Sequence, residues 1–196
     1  MENLPKSKRA SIFEYIRVDH ESIRGVLDTL VSGEIEPRRK RAIFQRMLPL
    51  FRAHTYGVEQ SLMIEGLRHE PTRPIVLRCL EEHELAEVSV HRVNLAVSDE
   101  VWEARVRVFC HLLAEHLNRS ENSFPIIQKV IPAEKLEELG MKYIDTRNKF
   151  HLTPIREVSV KPDLAYDQAG RIGYIVAWLL GVPAWILLVV FLIRGH

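Results

Sequence analysis

Four histidines, His20, His54, His83 and His116, stand among apolar residues at helical spacing, a pattern from which a metal centre can be built. In LLAEHLNRSENSFP, His116 falls in step with Phe109, Leu112 and Ser120, so it points where they point. One inward histidine is ordinarily a hydrogen-bonded core residue. Four on separate helical patterns are a different matter, because imidazoles converging on one bundle centre need a common partner. A metal ion supplies one. Carboxylates stand nearby: Glu59 follows His54 by five residues, Glu121 follows His116 by five, and Glu87 follows His83 by one turn on the same face. Glu87 also reads as the partner of an arginine on a neighbouring helix. His111 is nearly opposite His116 on the helical wheel, and His69 and His91 fall off the stripes, so all three read as surface residues.

The elements that must position these groups are helices. A first helix starts near Ser7 or Ser11, ends near Ser32, and carries Phe13, Ile16, His20, Ile23, Leu27 and Leu30 on one stripe. A second opens with the basic run Arg38 to Arg41, read as a solvated face. It buries Ile43, Met47, Leu50, Phe51, His54, Val58 and Leu62, with Pro49 predicting a kink. The third, from about Pro74 to Val97, presents Val76, Leu80, His83, Glu87, Val90, Asn94 and Val97. The fourth, capped by the turn at Ser98, carries Trp102, Val106, Phe109, Leu112, Leu113 and His116 before Pro125. A shorter fifth helix from Pro132, with Leu136, Leu139, Met141, Tyr143 and Ile144, covers one end of the bundle.

The 196 residues carry a formal net charge of +1, which gives no reason to propose nucleic acid as a partner. Cys79 and Cys110 lack C-x-x-C spacing and read as reduced core or near-core residues. The N-terminus has no uninterrupted apolar run of signal-peptide length. Ile172 to Ile193 contains no charged side chain and is long enough to span a bilayer. Arg147, Lys149, Arg156, Lys161 and Arg171 precede it, and the positive-inside rule then places the bundle in the cytoplasm. The resulting expectation is a bundle over 1–150, a linker over 151–171 and a transmembrane helix over 172–193, with the chain a single-pass protein of the cell inner membrane.

The stretches VDHESIRGVLDTL, FRAHTYGVEQSLM, EEHELAEV and AEHLNRSENSFP, in this order, together with a closing AEKLEELGMKY, resemble the hemerythrin-like family and its histidine-histidine-glutamate subgroup. The resemblance covers Ile12 to about Lys149. It implies an all-α, up-down four-helix bundle with a short fifth helix, to which the C-terminal transmembrane helix is added. It also implies a non-haem di-iron centre on His20, His54, His83 and His116.

The carboxylates carry over less directly, because the family usually places a glutamate four residues after the second and fourth histidines. Here Val58 and Ser120 occupy those places. Five residues turn a regular helix about 140° past a full turn, against about 40° for four, so Glu59 in a regular helix faces away from His54. Three outcomes are open. A one-residue π-bulge brings Glu59 and Glu121 back toward the centre; Glu87 supplies the carboxylate instead; or the bundle is degenerate and its histidines pair with buried carboxylates.

The function so implied is a membrane-anchored iron protein that binds or senses O2 or NO at the cytoplasmic membrane face. The alternative is an accessory single-span subunit of a membrane complex, its small residues Gly173, Ala177 and Gly181 letting another helix approach.

Overall fold

Ser11 starts the first helix as its hydroxyl accepts from the Phe13 N–H, while the Glu14 carboxylate accepts from the Ser11 N–H at 3.0 Å, a complete capping box. This computed structural model describes residues 10–150, and among them every regular element is helical. The elements are α1 (Ile12–Val31), α2 (Pro37–Val58), a π-helical turn (Glu59–Met63), a closing turn α3 (Ile64–Gly66), α4 (Arg73–Asn94), α5 (Asp99–Val130) and α6 (Ala133–Phe150). Ser98 caps α5 by accepting from the Val101 N–H at 3.2 Å.

Two apolar clusters fill the bundle, with the histidines between them. On α1, Ile12, Phe13 and Ile16 belong to one cluster and Ile23, Leu27 and Leu30 to the other, and His20 lies between. His54 divides Phe44, Met47 and Phe51 from Val58 and Leu62, and His83 divides Val76 from Ala86, Val90 and Val93. On α5, His116 stands between Trp102, Val106 and Phe109 on one side and Phe124 and Ile127 on the other. The order of the clusters reverses from α1 to α2, from α2 to α4 and from α4 to α5, so successive main helices run in opposite directions. Helix α6, the fifth full helix, adds Leu136, Leu139 and Tyr143 to the second cluster only, packing on α1, α2 and the π turn. Gly57 is what admits it, because a Cβ there would stand 2.8 Å from the Tyr143 ring.

Several expectations change. Pro125 does not end the fourth helix; α5 runs through it to Val130. Phe124 and Ile127 on either side are buried in the second cluster, and that burial offsets the one backbone hydrogen bond the proline removes. The stripe predicted for the third helix ends early, since α4 stops at Asn94 and Val97 is 93% exposed. The basic run is not simply a solvated face. Lys40 is buried and paired with Glu103 at 2.9 Å, and the Arg41 guanidinium lies 4.8 Å from the centre of the Trp102 ring while pairing with Asp99.

The expected linker over 151–171 and transmembrane helix over 172–193 lie outside the described residues. Among the described residues no helix is long and apolar enough to cross a membrane. The fold class is therefore corrected to a five-helix all-α bundle, four main helices and a shorter one, without the transmembrane element. Partnership with a lipid bilayer through a C-terminal helix and single-pass residence in the inner membrane are withdrawn with it.

Candidate metal centre

All four histidines are buried, from 0% exposed for His20 to 4% for His116. Their rings meet in two pairs, His20 with His54 at 4.9 Å between centroids and His83 with His116 at 4.8 Å. In every ring the Nδ1 atom is engaged by a group from another helix. His20 Nδ1 lies 2.8 Å from Glu121 Oε1, His83 Nδ1 lies 2.8 Å from Glu59 Oε1, and His116 Nδ1 lies 2.8 Å from Glu82 Oε2. His54 Nδ1 lies 2.9 Å from the Tyr143 hydroxyl, which in turn donates to Asp19.

These contacts close a ring around the bundle. Asp19 of α1 supports His54 of α2 through Tyr143; Glu59 of the π turn following α2 supports His83 of α4; Glu82 of α4 supports His116 of α5; and Glu121 of α5 supports His20 of α1. The acids are themselves held. Arg147 grips Asp19 with two bonds at 2.7 and 2.8 Å, Arg119 reaches Glu82 at 2.9 Å, and Arg24 reaches Glu121 at 2.8 Å.

A carboxylate only accepts, so each Nδ1 facing one must carry the proton. The Tyr143 hydroxyl spends its proton on Asp19, so its oxygen accepts from His54 Nδ1–H in the same way. Burial keeps that phenol protonated by raising its pKa far above the ordinary value, and the neighbouring Asp19 charge adds to it. All four rings are thereby set in one tautomer, with the Nε2 lone pair bare on the side away from the acids. His20 Nε2 is buried and has no hydrogen-bond partner. A bare imidazole nitrogen backed by an Nδ1–H to carboxylate bond is the arrangement that metal-ligating histidines adopt.

Burial drives His20, His54 and His83 toward the neutral form. It pushes His20 down to about 2, with the neighbouring His54 and His116 rings and Arg24 adding to the effect. His83 falls to about 4, burial outweighing the opposing bond from Glu59. His54 is also lowered by burial, against the pull of Asp19. Burial by itself would raise Asp19, but His54, Tyr143 and Arg147 outweigh it and hold the carboxyl below its ordinary range.

A pH dependence follows. Above the ordinary histidine value of 6.5, native and unfolded chains both carry neutral rings, and the shift has no effect on stability. Below it the unfolded chain takes up protons that native His20 and His83 refuse, so unfolding becomes easier by about 1.4 kcal/mol per pH unit for each ring. The loss continues until pH about 4 for His83 and about 2 for His20. The metal-free chain is expected to show a steadily falling thermal midpoint from about pH 7 to about pH 5. A flat profile over that span would mean that the rings are already charged or exposed.

The structure brings His20, His54, His83 and His116 to one layer and places Glu59 and Glu121 against Nδ1 atoms of that layer. Glu87 is elsewhere engaged, in a two-bond pair with Arg52 at 2.9 and 3.0 Å that ties α4 to α2. The π turn starts at Glu59, whereas Glu121 reaches its ring from regular α-helix. Sequence reasoning missed Asp19, Glu82, Tyr143 and Cys79. Asp19 and Glu82 each sit immediately before a histidine, in VDH and EEH, a recurrence that was visible in the chain. Cys79 lies beside two of the rings: atoms of Cys79, His83 and His116 of the kind that ligate metals lie within 4.8 Å of one another.

Compared with known proteins, the chain matches no family model, no curated protein and no solved structure. The resemblance to hemerythrin-like proteins is therefore not upheld as membership of that family. The functions it implied are corrected with it: neither a membrane-anchored di-iron protein for O2 or NO nor a single-span subunit of a membrane complex is supported. What stands is an all-α bundle in which partly buried Cys79 and buried His83 and His116 form a cluster that could hold a metal ion, with no membrane-crossing helix among the described residues.

Proposed function

We propose that this chain is a metal-binding helical bundle whose histidine layer takes first-row transition metal on bare Nε2 atoms, His20 and His54 lining one half of the layer and His83 and His116 the other. The observation that carries the reading is His20 Nε2, buried and unpartnered, in a layer where the Nδ1 atoms of all four rings are engaged by carboxylates or the Tyr143 hydroxyl. Such an orphaned acceptor is costly in a protein interior unless a cation meets it. Iron is the element we assign, because neutral imidazoles backed by carboxylates in an all-helical core suit a non-haem iron site better than a thiolate-rich zinc site.

In this reading Glu59, Glu82, Glu121 and the Asp19–Tyr143 pair act from outside, through Nδ1, and Glu87 stays in its ion pair with Arg52. They orient the rings and raise their basicity, while the two apolar clusters keep water out. A bound iron would supply Lewis acidity and a one-electron couple. The test is elemental analysis of the full chain purified from cells supplied with iron, zinc, copper and manganese together. Iron in a whole-number ratio to protein is the expected result. Another metal in that ratio overturns the assignment of iron, and no retained metal overturns the centre.

A further inference from the structure

The two halves of the histidine layer are not chemically alike. Between α1 and α2 the ring pair His20 and His54 meets oxygens of Glu121 and Tyr143 at Nδ1, and among the described residues no cysteine joins it in a group of metal-ligand type. Between α4 and α5 the pair His83 and His116 is joined by a sulfur atom. Cys79 precedes His83 by four residues on α4, so one helical turn separates them and both face the same way. His116 comes to them from α5. Ligand atoms of the three lie within 4.8 Å of one another. The other cysteine, Cys110, is packed into the first apolar cluster among Phe109, Leu113 and their neighbours, and belongs to no such group among the described residues. Burial alone makes a cysteine an apolar filler. It does not place one beside two imidazoles whose outer nitrogens are already committed to Glu59 and Glu82.

We propose that Cys79 is a metal ligand beside His83 and His116, which makes this half of the centre a thiolate and two-imidazole site with an open fourth position. The proposal rests on the reading that the bare Nε2 atoms receive a metal. A tetrahedral ion bonded at about 2.0–2.1 Å to nitrogen and about 2.3 Å to sulfur holds its ligand atoms roughly 3.5 Å apart. Closing from the observed spacing takes about an ångström, within reach of rotation about the single side-chain torsion of Cys79. On binding, the sulfur–metal bond forms as the thiol proton leaves to solvent, so the sulfur is neither oxidised nor reduced. The chemical class of ion favoured is a borderline divalent cation that accepts both sulfur and imidazole.

The experiment adds cobalt(II) to the purified, metal-free full chain and reads two spectral regions. Visible ligand-field bands report cobalt held at the centre by any ligands, and a near-ultraviolet thiolate-to-cobalt charge-transfer band reports sulfur. The wild type is expected to show both. Cys79→Ser is expected to keep the visible bands, lose the near-ultraviolet band and bind cobalt at least about tenfold more weakly. Cys110→Ala is expected to keep both bands. Circular dichroism of each variant confirms that the bundle is intact. Cobalt uptake with identical spectra in the wild type and Cys79→Ser overturns the sulfur ligand and leaves the histidine centre standing. No cobalt uptake by the wild type overturns the metal reading as a whole, and this proposal with it.

Discussion

Replacing His116 with alanine is expected to weaken metal binding by about 100-fold or more, whereas His111→Ala leaves it unchanged. Both residues are histidines of α5, so helix content, charge and side-chain loss are matched, and only their facing differs. His116 is buried and paired with His83 at 4.8 Å, while His111 is exposed. Losing an outer hydrogen-bond partner of a metal ligand already costs 10–100-fold in affinity, and losing the ligand itself costs more. The acid it leaves behind is not stranded, because Glu82 keeps its 2.9 Å contact with Arg119, so the bundle should remain folded. Titration of the metal-free variants with iron(II) under anaerobic conditions, followed by elemental analysis, gives the comparison. Equal losses in the two variants would show that the buried face of α5 has no part in binding.

Phe109→Ala is expected to destabilise the bundle by about 3–5 kcal/mol, read as a lower urea midpoint at unchanged slope. Phe109 is 0% exposed and meets Phe44 and Phe51 edge-on, with ring centroids at 5.4 and 6.1 Å. Three helices' worth of packing converges on it: α5 supplies the ring, α2 supplies both partners, and Ile23 and Leu27 of α1 share the same cluster. Edge-to-face contacts add to plain area burial, and the surrounding main helices cannot close a void of that size without moving the histidine layer above it. Against a typical total of about 5–15 kcal/mol the loss is a large share. A change below about 1 kcal/mol would mean that the cluster repacks freely, and that the rigidity ascribed to the layer is absent.

The elements themselves were largely legible along the chain. Steps of three and four residues put His20, His54, His83 and His116 on apolar stripes, and all four are buried. Ser11 and Ser98 start their helices as their side-chain chemistry predicts. Where the reading failed, burial outweighed a local rule. Pro125 reads as a stop, yet Phe124 and Ile127 hold α5 together around it. Lys40 reads as solvated, yet the Glu103 carboxylate lets its ammonium be buried. Cys79 reads as a reduced core or near-core residue, and it is free and partly buried.

What periodicity along one helix determines is which side chains share its own inward face, because that depends only on the 3.6-residue turn. A residue one place before a histidine is rotated about 100° away from it, toward a neighbouring helix. Asp19 and Glu82 are such residues, and Glu59 and Glu121 are displaced in a similar way. Their partners are rings on other helices, and the order in which the helices pack around the layer decides which ring each acid meets. The same packing order assigns Glu87 to Arg52 and inserts Tyr143 of α6 between His54 and Asp19. The sequence alone therefore determined which imidazoles enter the core. The tertiary structure decided which nitrogen of each ring is bare, since that is set by a hydrogen bond made between helices.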